Sequence, residues 1–184
     1  MKISQLFALA ISLAIFFSSC QEQPVSAGGQ PEPFFDLKAY MEKQIEALNQ
    51  EQSAVRKAIL VDGQRETKQL DSLDYRIELK TFLNSDINRK AWVDKYTTDS
   101  TLEGSYLKEV TYTATAEKLK TRLLRIRYDQ NEVSDIYIEN RTNSIVADVR
   151  QELHFQPEVG YRLRTTQETV LSEAQEIEVT VKWE

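Results

Sequence analysis

The sequence predicts an α+β domain: an antiparallel β-meander of about five to seven strands, forming a curved sheet or partial barrel, covered by one or two amphipathic helices. Three observations predict this fold. Apolar residues recur at helical spacing over residues 34–48, they alternate with polar residues from Tyr106 to the end of the chain, and short polar intervals of hairpin length separate the alternating runs. Each alternating run has one apolar face, which the helices must cover.

The first predicted helix spans residues 34–48. Its apolar residues recur at three- and four-residue steps, and charged residues occupy the opposite side. The charged side mixes both signs, whereas helices that lie on membranes are usually basic there. The pattern therefore favours a helix that faces the core through Phe34, Leu37, Met41, Ile45 and Leu48.

Residues 55–70 predict a β-hairpin, because Asp62-Gly63 separates two strand-like runs and favours a tight turn between them. A second helix is predicted directly after it. Asp71 and Ser72 offer side chains that cap a helix N-terminus, and the helix should end before Asn88. Its apolar residues are Leu73, Ile77, Leu79 and Leu83.

Residues 106–183 predict the strands of the meander. The intervals 129–131, 140–143, 157–160 and 171–174 are rich in turn-forming residues and short enough for hairpins. Alternation continues without a break through residues 177–183, so the C-terminal strand is expected to be part of the core.

The N-terminus predicts a lipoprotein signal peptide over residues 1–19. Lys2 precedes a mainly apolar run of 12 residues, 6–17, and Cys20 follows small residues at the expected cleavage site. A helix of that length rises about 18 Å, too short for a hydrocarbon core of about 30 Å. Cys20 is therefore the predicted lipid attachment site. Residues 20–33 are the lipidated cysteine with a flexible tether rich in Pro and Gly, and residues 34–184 are a single domain.

Composition excludes several classes of function. Of 23 basic residues one, Lys2, lies in the signal, so the remaining 22 oppose 29 acidic residues for a net charge of −7 (22 − 29). Nucleic acid is therefore not an expected partner. Cys20 is the only cysteine and His154 the only histidine, so disulfides, metal sites and cofactor-binding motifs are not expected. Alternation points His154 outward beside Arg150 and Glu152, where a solvated residue without a role is expected.

Residues 86–96 are the densest mixture of acidic, basic and aromatic side chains. The segment begins like a calcium loop, but Lys90 and Ala91 occupy positions that a ligand and a glycine require. Trp92 and Tyr96 lie four residues apart, so a helical turn would place both on one side, either packed into the domain or lining a groove with Asp86. We expect no catalytic residues, although carboxylates such as Asp86 leave a hydrolase as an alternative.

Two further surface features are expected. Arg125 and Arg127 fall on one face of their strand and Arg122 on the other, so only the first two can share a site. Asp99-Ser100-Thr101 lies in a predicted loop and resembles the tripeptide at which Bacteroidota O-glycosylate exported proteins, which makes Ser100 the candidate glycosylation site.

Several segments resemble an uncharacterised family of Bacteroidota outer-membrane lipoproteins, and the resemblance covers most of the chain after the signal. These segments are residues 34–38, 85–92, 151–155 and Gly160-Tyr161. The resemblance implies an envelope location and a helix-plus-sheet domain, but no catalytic residue. In related lipoprotein sorting, Asp after the lipidated cysteine retains a protein at the inner membrane. Gln21 occupies that position here, which favours the outer membrane, facing the periplasm, with surface exposure as the alternative.

The sequence thus leads to three hypotheses of function. The first is a non-catalytic binding or assembly module, held at the outer membrane by acyl chains such as palmitate on Cys20 and contacting an envelope protein. The second is a carrier of lipid or another hydrophobic ligand inside a partial barrel. The third is the carboxylate-dependent hydrolase.

Overall fold

Nine antiparallel strands form one sheet in the computed structural model, which describes residues Glu32–Glu184. The predicted signal peptide, Cys20 and nearly all of the tether lie outside the described residues. The strands are β1 (Val55–Val61), β2 (Gln64–Leu70), β3 (Tyr96–Glu103), β4 (Tyr106–Ala114), β5 (Thr121–Asp129), β6 (Glu132–Asn143), β7 (Ala147–Gln156), β8 (Gly160–Thr169) and β9 (Ser172–Trp183).

The sheet order is β2-β1-β9-β8-β7-β6-β5-β4-β3. Strands β3 to β9 are therefore a meander in which each strand pairs with the next, and the hairpin of β1 and β2 joins the sheet through β9. The predicted antiparallel meander and the hairpin at Asp62-Gly63 are confirmed, and both turn residues have positive φ, 47° and 87°. The predicted strand number is too low, and the molecule is mostly sheet with few helices, so the α+β description fits less well.

Two predicted loops are strands in the structure. β3, which includes Ser100, was predicted as loop because its sequence has no apolar alternation; only Tyr96 in it is buried, and the strand is an edge of the sheet. Residues 140–143 were predicted as a turn, but β6 continues through them. Asn140 is buried and its Nδ2 donates to Ser85 Oγ at 2.8 Å, so this polar residue packs inside the domain.

Helix α1 (Leu37–Glu51) confirms the predicted core-facing helix. The side chain of Asp36 caps it by accepting a hydrogen bond from the Ala39 N–H at 2.8 Å. The predicted second helix is instead divided into two single turns, α2 (Tyr75–Glu78) and α3 (Lys80–Leu83). The buried residues of α1 are Leu37, Met41, Ile45 and Leu48.

The two short helices pack through aromatic residues that the apolar stripe did not include. Phe82 contacts the rings of Phe155 and Tyr161, and Tyr75 contacts Trp183. Ile77, which was predicted to face the core, is 69% exposed. The helical turns are therefore positioned by aromatic contacts with the sheet and not by a continuous leucine stripe.

The core lies between the helices and one face of the sheet, which we call the inner face. Its central residues are fully buried, and they come from five strands and from α1 and α3. The opposite face, the outer face, is not covered by any described helix. None of the described helices has the length and apolar character needed to cross a membrane. The largest fully buried inner-face side chains are Leu124, Ile126, Ile136, Ile138, Leu153 and Phe155.

Candidate anion site on the outer sheet face

Strand register brings polar side chains into one row across five strands of the outer face. Arg125 pairs with Tyr137, Tyr137 with His154, His154 with Arg162, and Arg162 with Thr180. Side chains of residues that pair directly across strands lie on the same face within contact distance. The row therefore brings together residues as far apart in the sequence as Arg125 and Thr180, which are 55 positions apart.

His154 is held by an acidic residue of the neighbouring strand. Its Nε2 forms a hydrogen bond with Asp135 Oδ2, and its side chain is 31% exposed. The outward direction predicted from alternation agrees with this position, and the structure adds a partner, Asp135, that alternation did not indicate. Asp135 lies on the diagonal to His154 across two strands, and such neighbours are within reach of longer side chains. The ring of His154 thus has a fixed orientation.

Asp135 is an acidic residue with spare hydrogen-bonding capacity. Its side chain is 9% exposed, and its Oδ1 is buried without a hydrogen-bond partner among the described residues. A buried carboxylate oxygen without a partner is costly, so native structures usually satisfy it through protein, water or a ligand. This oxygen lies beside the paired imidazole near the middle of the row.

Tyr137 is enclosed by charged neighbours. The guanidinium of Arg125 lies 4.8 Å from the centre of its ring, and its hydroxyl donates to Glu139 Oε1 at 3.0 Å. Burial and the bond to Glu139 raise the pKa of Tyr137 to about 12, so the phenol stays protonated at neutral pH. Glu109 accepts from Arg127 at 2.8 Å and lies 3.9 Å from Arg125, which confirms that these two arginines share a face.

Gly160 creates a depression beside His154. Its φ is 141°, and a Cβ atom there would lie 1.9 Å from the carbonyl oxygen of Val181, so only glycine fits. A cavity of about 160 Å³ lies around it, lined on its polar side by His154, Arg162, Thr180 and Lys182. The cavity therefore lies where β8 and β9 approach each other at Gly160, a residue without a side chain, and the surrounding side chains converge on it.

The charges at this depression are unbalanced. Neither Arg162 nor Lys182 has a carboxylate within 4.0 Å in the part of the chain that the structure describes, whereas neighbouring Arg164 is paired with Glu176 at 2.7 Å. This cationic pair is notable in a chain with a net charge of −6. An arginine fork, a lysine ammonium and a hydroxyl are the groups that bind carboxylates and phosphates. The depression is therefore a candidate anion site.

The residues predicted to line a groove lie elsewhere, beside the start of α1. Tyr96 begins β3 and is buried, with its hydroxyl donating to the carbonyl of Thr121 at 2.8 Å. Trp92 ends the 3₁₀ helix Lys90–Trp92 and is half-buried beneath the guanidinium of Arg89, 4.3 Å from its ring. Trp92 ends a 3₁₀ helix and Tyr96 begins a strand, so the two residues do not share a helical turn.

Asp86 helps to hold the segment that leads into α1. Its Oδ2 accepts from the Asn88 N–H at 3.1 Å, and Asn88 Nδ2 donates to the carbonyl of Phe35 at 2.9 Å. Burial raises the pKa of Asp86. The structure thus uses Asp86 to position the loop that holds Phe34 and Phe35. A groove made by Asp86, Trp92 and Tyr96 stays a prediction, as does glycosylation of Ser100, which is exposed on edge strand β3.

Other chemistry is not favoured by the described residues. They contain no group of three His, Cys, Asp or Glu side chains arranged to hold a metal ion. The inner face offers little space for a hydrophobic ligand, because Phe82, Leu124, Ile138 and Phe155 are each 0% exposed. The outer-face depression is the place where unpaired charge, a fixed imidazole and open space coincide.

Sequence reasoning missed this site, although one signal was present. Asp135, Tyr137, His154 and Arg162 all occupy the polar positions of alternating strands, so their shared face could be deduced. The register that aligns them, and the diagonal contact of His154 with Asp135, depend on turn positions that the sequence placed incorrectly.

Comparisons with protein-family models, with curated proteins and with solved structures found no significant match. The fold and the outer-face site define a class of protein in structural terms, an antiparallel meander with one face covered by helices and a cationic depression on the other. The particular function is therefore inferred from this geometry and from the sequence.

Proposed function

We propose that this chain is a non-catalytic lipoprotein of the outer membrane that binds an anionic group of an envelope partner through the depression at Gly160. The observation that carries the proposal is the pair of cations, Arg162 and Lys182, which lack carboxylate partners among the described residues and flank an open space. An anion bound between Arg162 and Lys182 would be attracted by both charges, which no carboxylate of the described residues pairs with.

The size of the depression limits what binds there. A volume of about 160 Å³ is enough for one carboxylate or phosphate group and its first attached atoms. The depression is open, so this acidic group can belong to a larger molecule of the envelope. Arg162 can bind two of its oxygens, while the Thr180 hydroxyl offers a further hydrogen bond and the His154 ring lies beside the space.

The envelope location follows from the predicted signal peptide and from lipidation of Cys20. Two or more acyl chains hold a protein firmly in a bilayer, whereas one gives only marginal binding. Gln21 favours the outer membrane and a periplasm-facing domain. A carrier of hydrophobic ligands is less well supported, because the side chains of α1 and α3 fill the space over the inner face.

The sole histidine makes the proposal testable by proton NMR. The chain without its signal peptide, purified without a histidine tag, has a single imidazole, that of His154. We expect its Hε1 resonance to shift and saturate on titration with sodium glucuronate or inorganic phosphate, and to stay unchanged with glucose, which has the same ring but no charge.

Matched variants assign the effect to the depression. Arg162→Gln and Lys182→Gln should each abolish saturation, whereas Arg164→Gln, on the same strand and face but paired with Glu176, should retain it. Unchanged His154 shifts with both anions would reject the anion site, and equal loss in Arg164→Gln would reduce the effect to general surface charge.

A further inference from the structure

Two neighbouring hairpin turns expose a cluster of aliphatic side chains. The β6–β7 turn carries Ile145 and Val146, and the β8–β9 turn carries Val170 and Leu171; their exposed fractions are 98%, 63%, 74% and 97%. The Val170 N–H donates to the carbonyl of Val146 at 3.3 Å, so the two turns lie side by side. We call these four residues the apolar tip.

The apolar tip differs from three other hairpin turns of the sheet. Asp62-Gly63, Gly104-Ser105 and Gln130-Asn131 contain the polar and glycine residues that turns usually require. Exposed aliphatic residues at the most solvated positions gain nothing for folding, and clusters of them mark surfaces that bind another molecule. Two adjacent turns share this feature, so it belongs to one surface.

A basic cavity lies behind the apolar tip. It has a volume of about 360 Å³, and its lining includes Lys118, Lys120, Arg122 and Arg141 with one acidic residue, Glu117. Arg141 precedes Ile145 by four residues on the same hairpin, which is about 13 Å at about 3.3 Å per residue. The cations therefore lie a short distance behind the exposed aliphatic residues.

The acidic groups nearby only partly offset these cations. Asp148 accepts hydrogen bonds from Arg141 and Arg150, both at 2.9 Å. Glu168 and Glu173 lie on the other hairpin, next to its turn. Lys118 and Lys120 have no carboxylate within 4.0 Å in residues 32–184, so the side facing the β4–β5 loop stays basic.

We infer that the apolar tip is a membrane-contact element that enters the acyl region of a bilayer while the basic cavity meets lipid phosphates. The headgroup layer is about 5–10 Å deep, so a tip that enters the acyl region leaves Arg141, about 13 Å behind it, near the level of the phosphates. The inference rests on the proposed lipid anchor, because a tether of residues 20–33 reaches no more than about 50 Å and keeps a bilayer close.

The area of the apolar tip argues against a second copy of the chain as its occupant. Full burial of an aliphatic side chain corresponds to roughly 60–120 Å², so four provide less than about 500 Å², whereas a stable interface needs about 800 Å² per partner. A bilayer needs no matching surface and also satisfies the cations.

The unique cysteine allows a direct test. In residues 20–184 with Cys20→Ser, Leu171→Cys introduces one thiol at the apolar tip, and Leu102→Cys introduces one at the β3–β4 hairpin on the opposite end of the sheet. Each is labelled with an environment-sensitive fluorophore and mixed with vesicles of phosphatidylethanolamine and phosphatidylglycerol. We expect a blue shift for the label at residue 171 and none at residue 102, which is a matched leucine with 66% exposure.

Partition measurements give the second arm of the test. Leu171→Ser and Ile145→Ser should each weaken vesicle binding about tenfold, and Leu102→Ser should not. Equal responses at residues 171 and 102, or no response at either, overturn the inference; so does a change in oligomeric mass on Leu171→Ser without any vesicle effect, which would indicate self-association. Since Cys20 is absent from this chain, failure here leaves the lipid anchor to be judged separately by fractionation of the native protein.

Discussion

The replacement Gly160→Ala tests the close approach of β8 and β9. The added Cβ would lie 1.9 Å from the Val181 carbonyl oxygen, 2.9 Å from its carbon and 3.0 Å from Lys182 Cα. All three are backbone atoms of β9, which pairs with β8 on one side and β1 on the other. No side-chain rotation can relieve this overlap, so the strands must separate or the backbone must change its path.

The expected loss of stability has two parts. A non-glycine residue forced to a sparsely populated backbone conformation costs about 1–3 kcal/mol, and inserting a methyl group into a packed site costs about 1–3 kcal/mol more. The total of about 2–6 kcal/mol is a large share of the about 5–15 kcal/mol by which domains are usually stable. Gly160→Ala should therefore lower the free energy of unfolding severely or prevent folding.

Urea denaturation followed by circular dichroism measures this loss, and Gly63→Ala is its control. Gly63 has a φ of 87° but no atom within 4 Å of an added Cβ, so it carries the backbone strain without the collision. If both variants unfold at the same urea concentration, the contact with Val181 contributes nothing and the argument is refuted.

Three further changes have defined outcomes. Phe82→Ala should lower the free energy of unfolding by about 3–5 kcal/mol, because the ring of Phe82 is 0% exposed and packs against Phe155 and Tyr161. The control Ile77→Ala, at a residue that is 69% exposed, should change it by less than about 0.5 kcal/mol in the same denaturation assay. Burial raises the pKa of Asp86 in the folded state, so the folded state binds the proton more tightly than the unfolded chain does. The free energy of unfolding should therefore fall as pH rises from about 3.9, the pKa in the unfolded chain, through the raised pKa of the folded state. Asp86→Asn should remove that part of the pH dependence, and identical pH profiles for the two proteins would contradict this reasoning. Cys20→Ala should move the folded domain from the membrane to the soluble fraction of fractionated cells, and retention in the membrane would disprove the lipid anchor.

Patterns set by local periodicity were predictable from the sequence. The stripe of α1 is the predicted one, since Leu37, Met41, Ile45 and Leu48 are all buried. The alternating strands after Tyr106 are also present, because one face of each must be buried against the helices. The turn at Asp62-Gly63 was predictable because those residues adopt positive φ readily.

Features set by distant contacts were not predictable. β3 has almost no apolar residues and is a strand because its backbone pairs with β4 along its whole length. Asn140 continues β6 inside the domain, where its Nδ2 donates a hydrogen bond to Ser85, 55 positions away in the sequence. Predicting the candidate site requires the register of five strands and the close backbone contact at Gly160, and local periodicity indicates neither.

The polar edges of the sheet have a consequence for crowding. Among residues 32–184, β2 and β3 are the two edge strands of the sheet, and both are almost entirely exposed and polar. Chains anchored in a membrane diffuse in two dimensions at high local concentration, where an apolar edge would allow one sheet to extend into the next. Edge strand β2 carries charged, hydrated side chains, among them the ion pair of Glu66 and Lys68 at 2.8 Å. Pairing of this strand with the edge of another sheet is therefore unfavourable. Under the proposed lipid anchor, many copies would therefore share a membrane surface without polymerising along it.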